Sequence, residues 1–242
     1  MKILLHGARG RMGQAIQAIA TNFGAEISMA LDRDDALCTA DLATTDLAID
    51  FSHHSATLPL VQAALAAHKP IVIGTTGHTP EEREAISRAA TKIPMMWAGN
   101  YSVGITLLLH YSEQLARQLG PDYHPEVIEM HHHRKVDAPS GTAENLVAAL
   151  LRGRNWPENI VKHGRSGIVG QRPDQEIGVH AIRGGEIVGE HTVLFAGPGE
   201  RLELTHRAAD RRIFAEGALR AAKWLLDQKP GLYDMRDVLG LG

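Results

Sequence analysis

A single cysteine, Cys38, stands among the 242 residues. No intrachain disulfide can therefore form and no cysteine metal cluster is available, which fits a reducing compartment. No block of Lys and Arg is long enough to track a phosphate backbone, and the formal charge is only −3. A nucleic-acid partner is not expected. No apolar run approaches the length of a membrane span, so no membrane partner is expected either. The chain opens directly on the apolar MKILLHG, with no basic leader or small-residue cleavage site. Internal repeats and low-complexity tracts are also missing. What remains is an ordinary soluble composition, 44% apolar, which argues against disorder. The expectation is a cytoplasmic globular protein of one large or two modest domains.

The first hundred residues alternate regularly. Apolar runs at Lys2 to His6, Glu26 to Leu31, Leu47 to Phe51, Ile71 to Ile73 and Met95 to Ala98 read as buried strands. Helical patterns follow the first, at His54 to Ala67 and at Pro80 to Lys92. Strand-then-helix order predicts a parallel sheet with right-handed crossovers. After Asn100 the pattern changes. A longer helix is predicted over Ser102 to Gly120, a strand over Glu126 to His132 and a helix over Ser140 to Arg152. Strands follow at Ile177 to Ile182, Ile187 to Phe195 and Arg201 to His206. Short turns such as Arg-Gly-Gly-Glu at 183–186 predict hairpins and an antiparallel or mixed sheet. The amphipathic helix Asp210 to Leu226 needs an apolar surface and is expected to return to the first domain. The division is thus 1–101 with 209–242, and 102–208.

The first strand runs into Gly7-Ala8-Arg9-Gly10-Arg11-Met12-Gly13, a G-x-x-G-x-x-G variant of the dinucleotide fingerprint. Glycines let a backbone approach a pyrophosphate, and the helix N-terminus stabilises its charge. Asp32, closing the second strand, can accept from ribose hydroxyls. Arg33 beside it can instead pair with a 2′-phosphate, so NADH and NADPH both remain open. A bare β–α turn is the plainer reading, but the acidic residue in place favours a nicotinamide dinucleotide. Gly74-Thr75-Thr76-Gly77 and Ala98-Gly99-Asn100-Tyr101 end two further strands, where ligands sit in open α/β sheets. Each alone reads equally well as a loop; at one sheet edge they form a cleft wall.

The stretch Glu126 to Ala143, EVIEMHHHRKVDAPSGTA, places three histidines, an arginine and a lysine before a helix start. Core building requires no such run. An anionic ligand and a proton transfer do. Consecutive histidines cannot all face one metal from an extended strand, because neighbours point to opposite faces, and no nearby Cys completes a zinc set; no metal is expected. In an extended run His131, His133 and Lys135 share a face while His132 turns away. Ser140 and Thr142 are N-cap candidates, and Gly141 lets a ligand approach backbone amides. Lys135 with that N-terminus makes a carboxylate pocket, and an adjacent histidine can carry a proton at neutral pH.

The segment E-x-x-E-x-H-H-x-x-K-x-D-A-P-S-G-T-A closely resembles the signature of the dihydrodipicolinate reductases. GARGRMG, IDFS, GTTG, NYSVGI, RSGIVGQR, EIGVHAIRGGEIVGEHTVLF and GLYDMRDVL extend the resemblance over nearly the whole chain. It implies NAD(P)H-dependent reduction of a small dianionic cyclic imine to tetrahydrodipicolinate, toward diaminopimelate and lysine. It also implies an α/β fold: a Rossmann-type dinucleotide domain plus a mixed α/β domain for substrate binding, whose sheet assembles a homotetramer. By position, His131 would be the general acid and Lys135 would bind substrate and assist protonation. His132, Ser140, Gly141 and Thr142 would hold the substrate carboxylates. Gly7, Ala8, Arg9, Gly10, Arg11, Met12, Asp32, Arg33, Gly74, Thr75, Thr76, Ala98, Gly99, Asn100 and Tyr101 would line the dinucleotide. Hinge closure around Asn100 and Ala209 would bring the two reactants together.

Some positions depart from the family pattern. The connection between Asp32 and Leu47 is short. Gly99 stands where proline is common, Tyr101 where phenylalanine is common, and Thr106 where asparagine is common. Two rivals use the same Gly-rich turn: another nicotinamide dehydrogenase acting on an amino or imino acid such as aspartate, and a non-catalytic dinucleotide sensor. Neither needs the full Lys-x-Asp-Ala-Pro-Ser-Gly-Thr-Ala segment.

Overall fold

The computed structural model describes residues 1–32, 35 and 39–241; Arg33 and Cys38 lie outside the described residues. In chain order the elements are β1 Lys2–His6, α1 Arg11–Ile19, β2 Glu26–Leu31, α2 Thr39–Ala43, β3 Leu47–Asp50, α3 His54–Ala67, β4 Ile71–Ile73, α4 Pro80–Ala90 and β5 Pro94–Trp97. There follow α5 Val103–Gln118, β6 His124–His131, α6 Gly141–Arg154, β7 Val161–His163, β8 Ile177–Arg183, β9 Gly189–Ala196, β10 Arg201–Ala208, α7 Arg212–Leu225, β11 Gly231–Tyr233 and α8 Met235–Val238. They divide into two compact units, residues 1–103 with 211–242, and residues 104–210.

In the first unit β1 is apolar on both faces, since Ile3, Leu4 and Leu5 are all buried, as a parallel strand covered on both sides requires. The sheet order is β11-β5-β4-β3-β1-β2, and its pairings are parallel. Successive side chains go to opposite faces. Ile3 and Leu5 meet Ile16 and Ile19 of α1 and Ala218 and Leu225 of α7. Leu4 meets Leu60 and Ala64 of α3 and Ile86 of α4. Where α4 begins, Thr79 and Glu82 cap each other's amides with Pro80 in the first turn, which satisfies donors the helix leaves open. Gly217 lets α7 sit on the chain leaving β5: a Cβ there would come 1.7 Å from the Tyr101 carbonyl oxygen. The short strand β11 is invisible to periodicity, because three residues carry no pattern; pairing with β5 alone makes it a strand.

In the second unit the order is β10-β9-β6-β8-β7. The sheet is mixed: β8 runs parallel to β6, and β9 antiparallel to it. The expected hairpin across residues 183–186 does not form. The strands it joins, β8 and β9, lie on either side of β6, so the turn carries the chain over one strand instead of folding it back on its neighbour. The reason is burial: Val127 of β6 packs between Val179 and Val193 in a core completed by Ile105, Leu108, Leu146 and Leu150 of the two helices. β9 and β10 do form an antiparallel pair, closed by Gly197 and Glu200. Alternate residues Ile128, Met130, Leu194 and Ile182 point to the opposite face, where Ile182 is 44% exposed.

That opposite face also carries a charge cluster. Glu126 accepts from Arg165 at 2.8 and 3.1 Å, from Arg172 at 3.0 Å, and pairs with His180 at 2.7 Å, fastening the 164–176 loop to β6. Partial burial works against its charge, but these donors outweigh it and hold the carboxyl down from 4.5 to about 2. A depressed folded-state value adds stability that is complete above the ordinary carboxylate range and is lost as pH falls through the folded value. The shift sets an upper bound of about 3 kcal/mol, lowered by solvent screening of this half-buried carboxyl, and the contribution fades as pH falls toward about 2. Glu126→Gln is therefore expected to lower the urea midpoint clearly at pH 7 and much less near pH 3. A gap that does not change with pH would contradict this.

Candidate active site

The ends of the parallel strands place the predicted dinucleotide residues along one sheet edge. Gly7 has φ +84°, and a Cβ there would lie 2.4 Å from the Phe51 carbonyl oxygen, so only glycine makes this turn. Gly13 lets α1 pack on the turn, since its Cβ would come 2.2 Å from the Gly7 carbonyl. Gly10 is the N-cap of α1 and supplies no side chain. Arg11 and Met12 open the helix, and its first turn holds no acidic residue. The Ala8 amide donates to Leu31, and the Arg9 amide to Asp32 Oδ2 at 2.8 Å. Asp32 is thus tied to the glycine turn from the end of β2. A turn with glycine at Gly7 and at the N-cap Gly10, a helix N-terminus without a side-chain cap and an adjacent carboxylate fit a dinucleotide's pyrophosphate and ribose.

Gly74 leaves room for the Phe51 ring, which a Cβ would meet at 2.1 Å. Thr75 is buried, and its Oγ1 accepts from the Ser52 amide at 3.0 Å. Thr76 is exposed and lies beside Gly99. The Ala98 amide donates to Ile73, and Asn100 Oδ1 accepts from the Ser102 amide at 2.9 Å. Tyr101 is 1% exposed. Its hydroxyl donates to the Ile73 carbonyl at 2.8 Å and its ring meets Phe51 edge-on. The side chain therefore packs beneath the edge and does not line it.

In the second unit the basic stretch does not run on extended. β6 stops at His131, and a turn closes with the Lys135 amide on the His132 carbonyl. The expected shared face of His131, His133 and Lys135 is thereby broken. The turn is stabilised by its contacts with the chain after β8: the His133 amide and Nδ1 both reach Gly185 O, and Arg134 pairs with Glu186. Arg134 first, then His133 and His132, hold the Glu186 carboxyl below its usual range. His132 is partly buried at the strand end.

His131 sits against Glu129, two residues back on the same face of β6, with Nδ1 2.6 Å from Oε2. Glu129 is fully buried. Burial opposes its charge, but Arg183 and His131 outweigh that and lower its pKa. An ionised carboxylate only accepts, so the proton between them belongs to His131 Nδ1 and Nε2 is left as the reactive nitrogen. Gly189 lies against Nε2, where a Cβ would come to 3.0 Å.

Ser140 caps α6, accepting from the Ala143 amide at 3.2 Å, while its own amide donates to Glu129 Oε1 at 3.1 Å. Its Oγ lies 3.1 Å from His191 Nε2. Gly141 has open space around it, and Thr142 follows in the first turn. Lys135 Nζ bonds both oxygens of Asp137 at 2.8 Å. His191 stands 5.1 Å from the His131 ring, and burial, then the charges of His131, His206 and Lys135, push its pKa down to about 4. His131 and Lys135 thus lie within electrostatic range of His191, whose Nε2 meets Ser140 at the N-terminus of α6, where an anion is favoured. Among the described residues no group of three His, Cys, Asp or Glu is placed to hold a metal ion.

Glu129, Arg183 and His191 were not singled out by sequence reasoning. The available signal was the i, i+2 spacing of Glu129 and His131, which puts them on one face of a strand.

Residues 1–101 match the family described as dihydrodipicolinate reductase, N-terminus, and residues 104–239 match dihydrodipicolinate reductase, C-terminus. The 4-hydroxy-tetrahydrodipicolinate reductase of Akkermansia muciniphila is 52% identical, with 100% of this chain and 98% of that protein covered. That of Anaeromyxobacter dehalogenans is 43% identical, with 99% and 98% covered. Among solved structures, the dipicolinate-bound dihydrodipicolinate reductase from Paenisporosarcina sp. TG-14 superposes with a TM-score of 0.81 at 25% identity, covering 97% of each chain. GenD2 from gentamicin A biosynthesis, in complex with NAD, shares the fold at a TM-score of 0.61 and 13% identity, covering 100% of this chain and 90% of that one. With both of its halves matched and full-length relatives at this identity, the chain belongs to the dihydrodipicolinate reductase family.

Proposed function

We infer that the chain is an NAD(P)H-dependent oxidoreductase that reduces 4-hydroxy-tetrahydrodipicolinate to tetrahydrodipicolinate, in diaminopimelate and lysine biosynthesis. The observation that carries the mechanism is His131, held by Nδ1 on buried Glu129, which leaves Nε2 as the nitrogen that takes up a proton from solvent and passes it to the substrate. A bound dihydronicotinamide supplies the hydride. Reduction of a conjugated imine leaves electron density on the ring, and His131 delivers the proton that quenches it. Lys135 binds a substrate carboxylate and assists that proton transfer, exchanging its contact with Asp137 for the substrate. Ser140, Gly141 and Thr142 receive a carboxylate at the N-terminus of α6, with His132 beside them. Gly7 to Met12, Asp32, Arg33, Gly74 to Thr76 and Ala98 to Asn100 hold the dinucleotide, with Tyr101 supporting them from beneath.

The protein acts in the cytoplasm as a homotetramer. The apolar stripe of Ile128, Met130, Ile182 and Leu194 on the open face of the second sheet supports that assembly.

A coupled assay with enzymatically generated substrate tests the reading. Consumption of NADH or NADPH that depends on the cyclic imine is expected, and kcat/KM for the two coenzymes decides between Asp32 and Arg33 as the selecting residue. Oxidation of aspartate with NAD and no turnover of the cyclic imine would instead support the amino-acid dehydrogenase reading.

A further inference from the structure

Arg183 joins the parts of the site that the reaction keeps apart. Its guanidinium donates to Glu129 Oε2 at 2.8 Å, to Glu129 Oε1 at 2.7 Å, and to the Asp137 carbonyl at 2.7 Å. Glu129 accepts in turn from His131 Nδ1 on Oε2 and from the Ser140 amide on Oε1. One ion pair therefore touches the acid, the first residue of the carboxylate cradle and the loop that carries Lys135. The strands explain how: β8 pairs in parallel with β6 and sets Arg183 opposite His131, while Glu129 lies two residues back on β6.

A fully buried carboxylate is a poor device for stability alone, because an apolar pair of similar volume generally serves as well or better. This one has both oxygens committed to groups that handle substrate. We propose that Glu129, paired with Arg183, is a positioning residue for the reduction: it keeps one proton on His131 Nδ1, so that Nε2 is the nitrogen that takes up a second proton from solvent and passes it to the substrate, and it fixes the Ser140 amide so that acid and cradle keep one spacing. The assignment rests on His131 being the acid. Glu129 and Arg183 touch no substrate; they act through His131 and Ser140. Arg183 suits the task because its planar fork meets both carboxylate oxygens at once, which a lysine cannot do.

The test is ¹⁵N-histidine NMR on the full chain, read on the neutral imidazole of His131, together with steady-state kinetics. Wild type is expected to show the proton on Nδ1. Glu129→Gln is expected to lose that single tautomer and to lower kcat by about 10²-fold. In a His131→Gln background the same change is expected to cost less than about twofold, because residues acting as a unit do not add. A purely structural role would give equal losses in both backgrounds. Should Glu129→Gln not fold, the wild-type spectrum still decides, and Arg183→Lys supplies the second variant, with kcat reduced by loss of the fork. A wild-type proton on Nε2, equal losses in the two backgrounds, or full kcat in Arg183→Lys overturns the proposal. Failure of the acid assignment itself shows differently, as normal turnover by His131→Gln whatever the tautomer.

Discussion

His131→Gln is expected to lower kcat by at least about 10²-fold while NADH binding stays as it is, and Lys135→Ala is expected to do the same. Glutamine keeps hydrogen-bonding capacity at that position but cannot give up a proton, so binding of the dinucleotide, which is proposed to use the glycine turn of the other unit, is expected to stay as it is. Alanine at 135 removes the cation and frees Asp137, whose carboxyl Lys135 now holds below its ordinary range. Lys135→Ala is also expected to raise KM for the dianionic substrate, which separates the two variants. NADH fluorescence titration measures the binding and the coupled assay the turnover. Unchanged turnover in either variant removes that residue from its assigned role.

The largest effect on stability is expected from Arg183→Met. It takes the bidentate partner from a carboxylate with 0% exposure, and breaking a buried pair from one side costs about 3–5 kcal/mol. Urea unfolding of wild type and variant at pH 7 reads this directly. Glu129 titrates below its ordinary range in the folded chain, so the pair's contribution is complete above that range and fades as pH falls through the folded value. The gap between wild type and Arg183→Met should therefore narrow on acidification. The double variant Glu129→Met, Arg183→Met leaves no buried charge behind and should regain most of the loss while kcat stays low, because His131 has lost its anchor. A gap below about 1 kcal/mol at pH 7 would mean that solvent reaches Glu129 once Arg183 is gone.

The parallel sheet of the first unit was readable because strands covered on both faces become continuous apolar runs: ILL at 3–5, LAI at 47–49 and IVI at 71–73. Each sits between turn or helix signals that mark its ends. The glycine turn was equally readable, since Gly7 and Gly13 are required by backbone contacts inside a single β–α unit. The second sheet was readable only in part. Alternation announced strands, but neighbours in a sheet are chosen by long-range burial, and β6 took the place between β8 and β9 that a local turn rule assigns to a hairpin. Tyr101 shows the same limit on a smaller scale. Its position at a strand end suggested a ligand contact, and its hydroxyl instead found the Ile73 carbonyl beneath.

The basic stretch divides along the same line. Residue types and order were enough to mark a candidate acid, a candidate cation and a helix N-terminus between residues 126 and 143, because those chemistries are local: a histidine, a lysine and a serine cap each announce themselves. Their geometry was not local. A glutamate in a strand reads as a solvent-facing residue until Arg183 of β8 and His191 of β9 arrive beside it from more than fifty residues away. Charge becomes structure only when burial removes water and a partner replaces it, and which partner does so is settled by how β8 and β9 pair with β6.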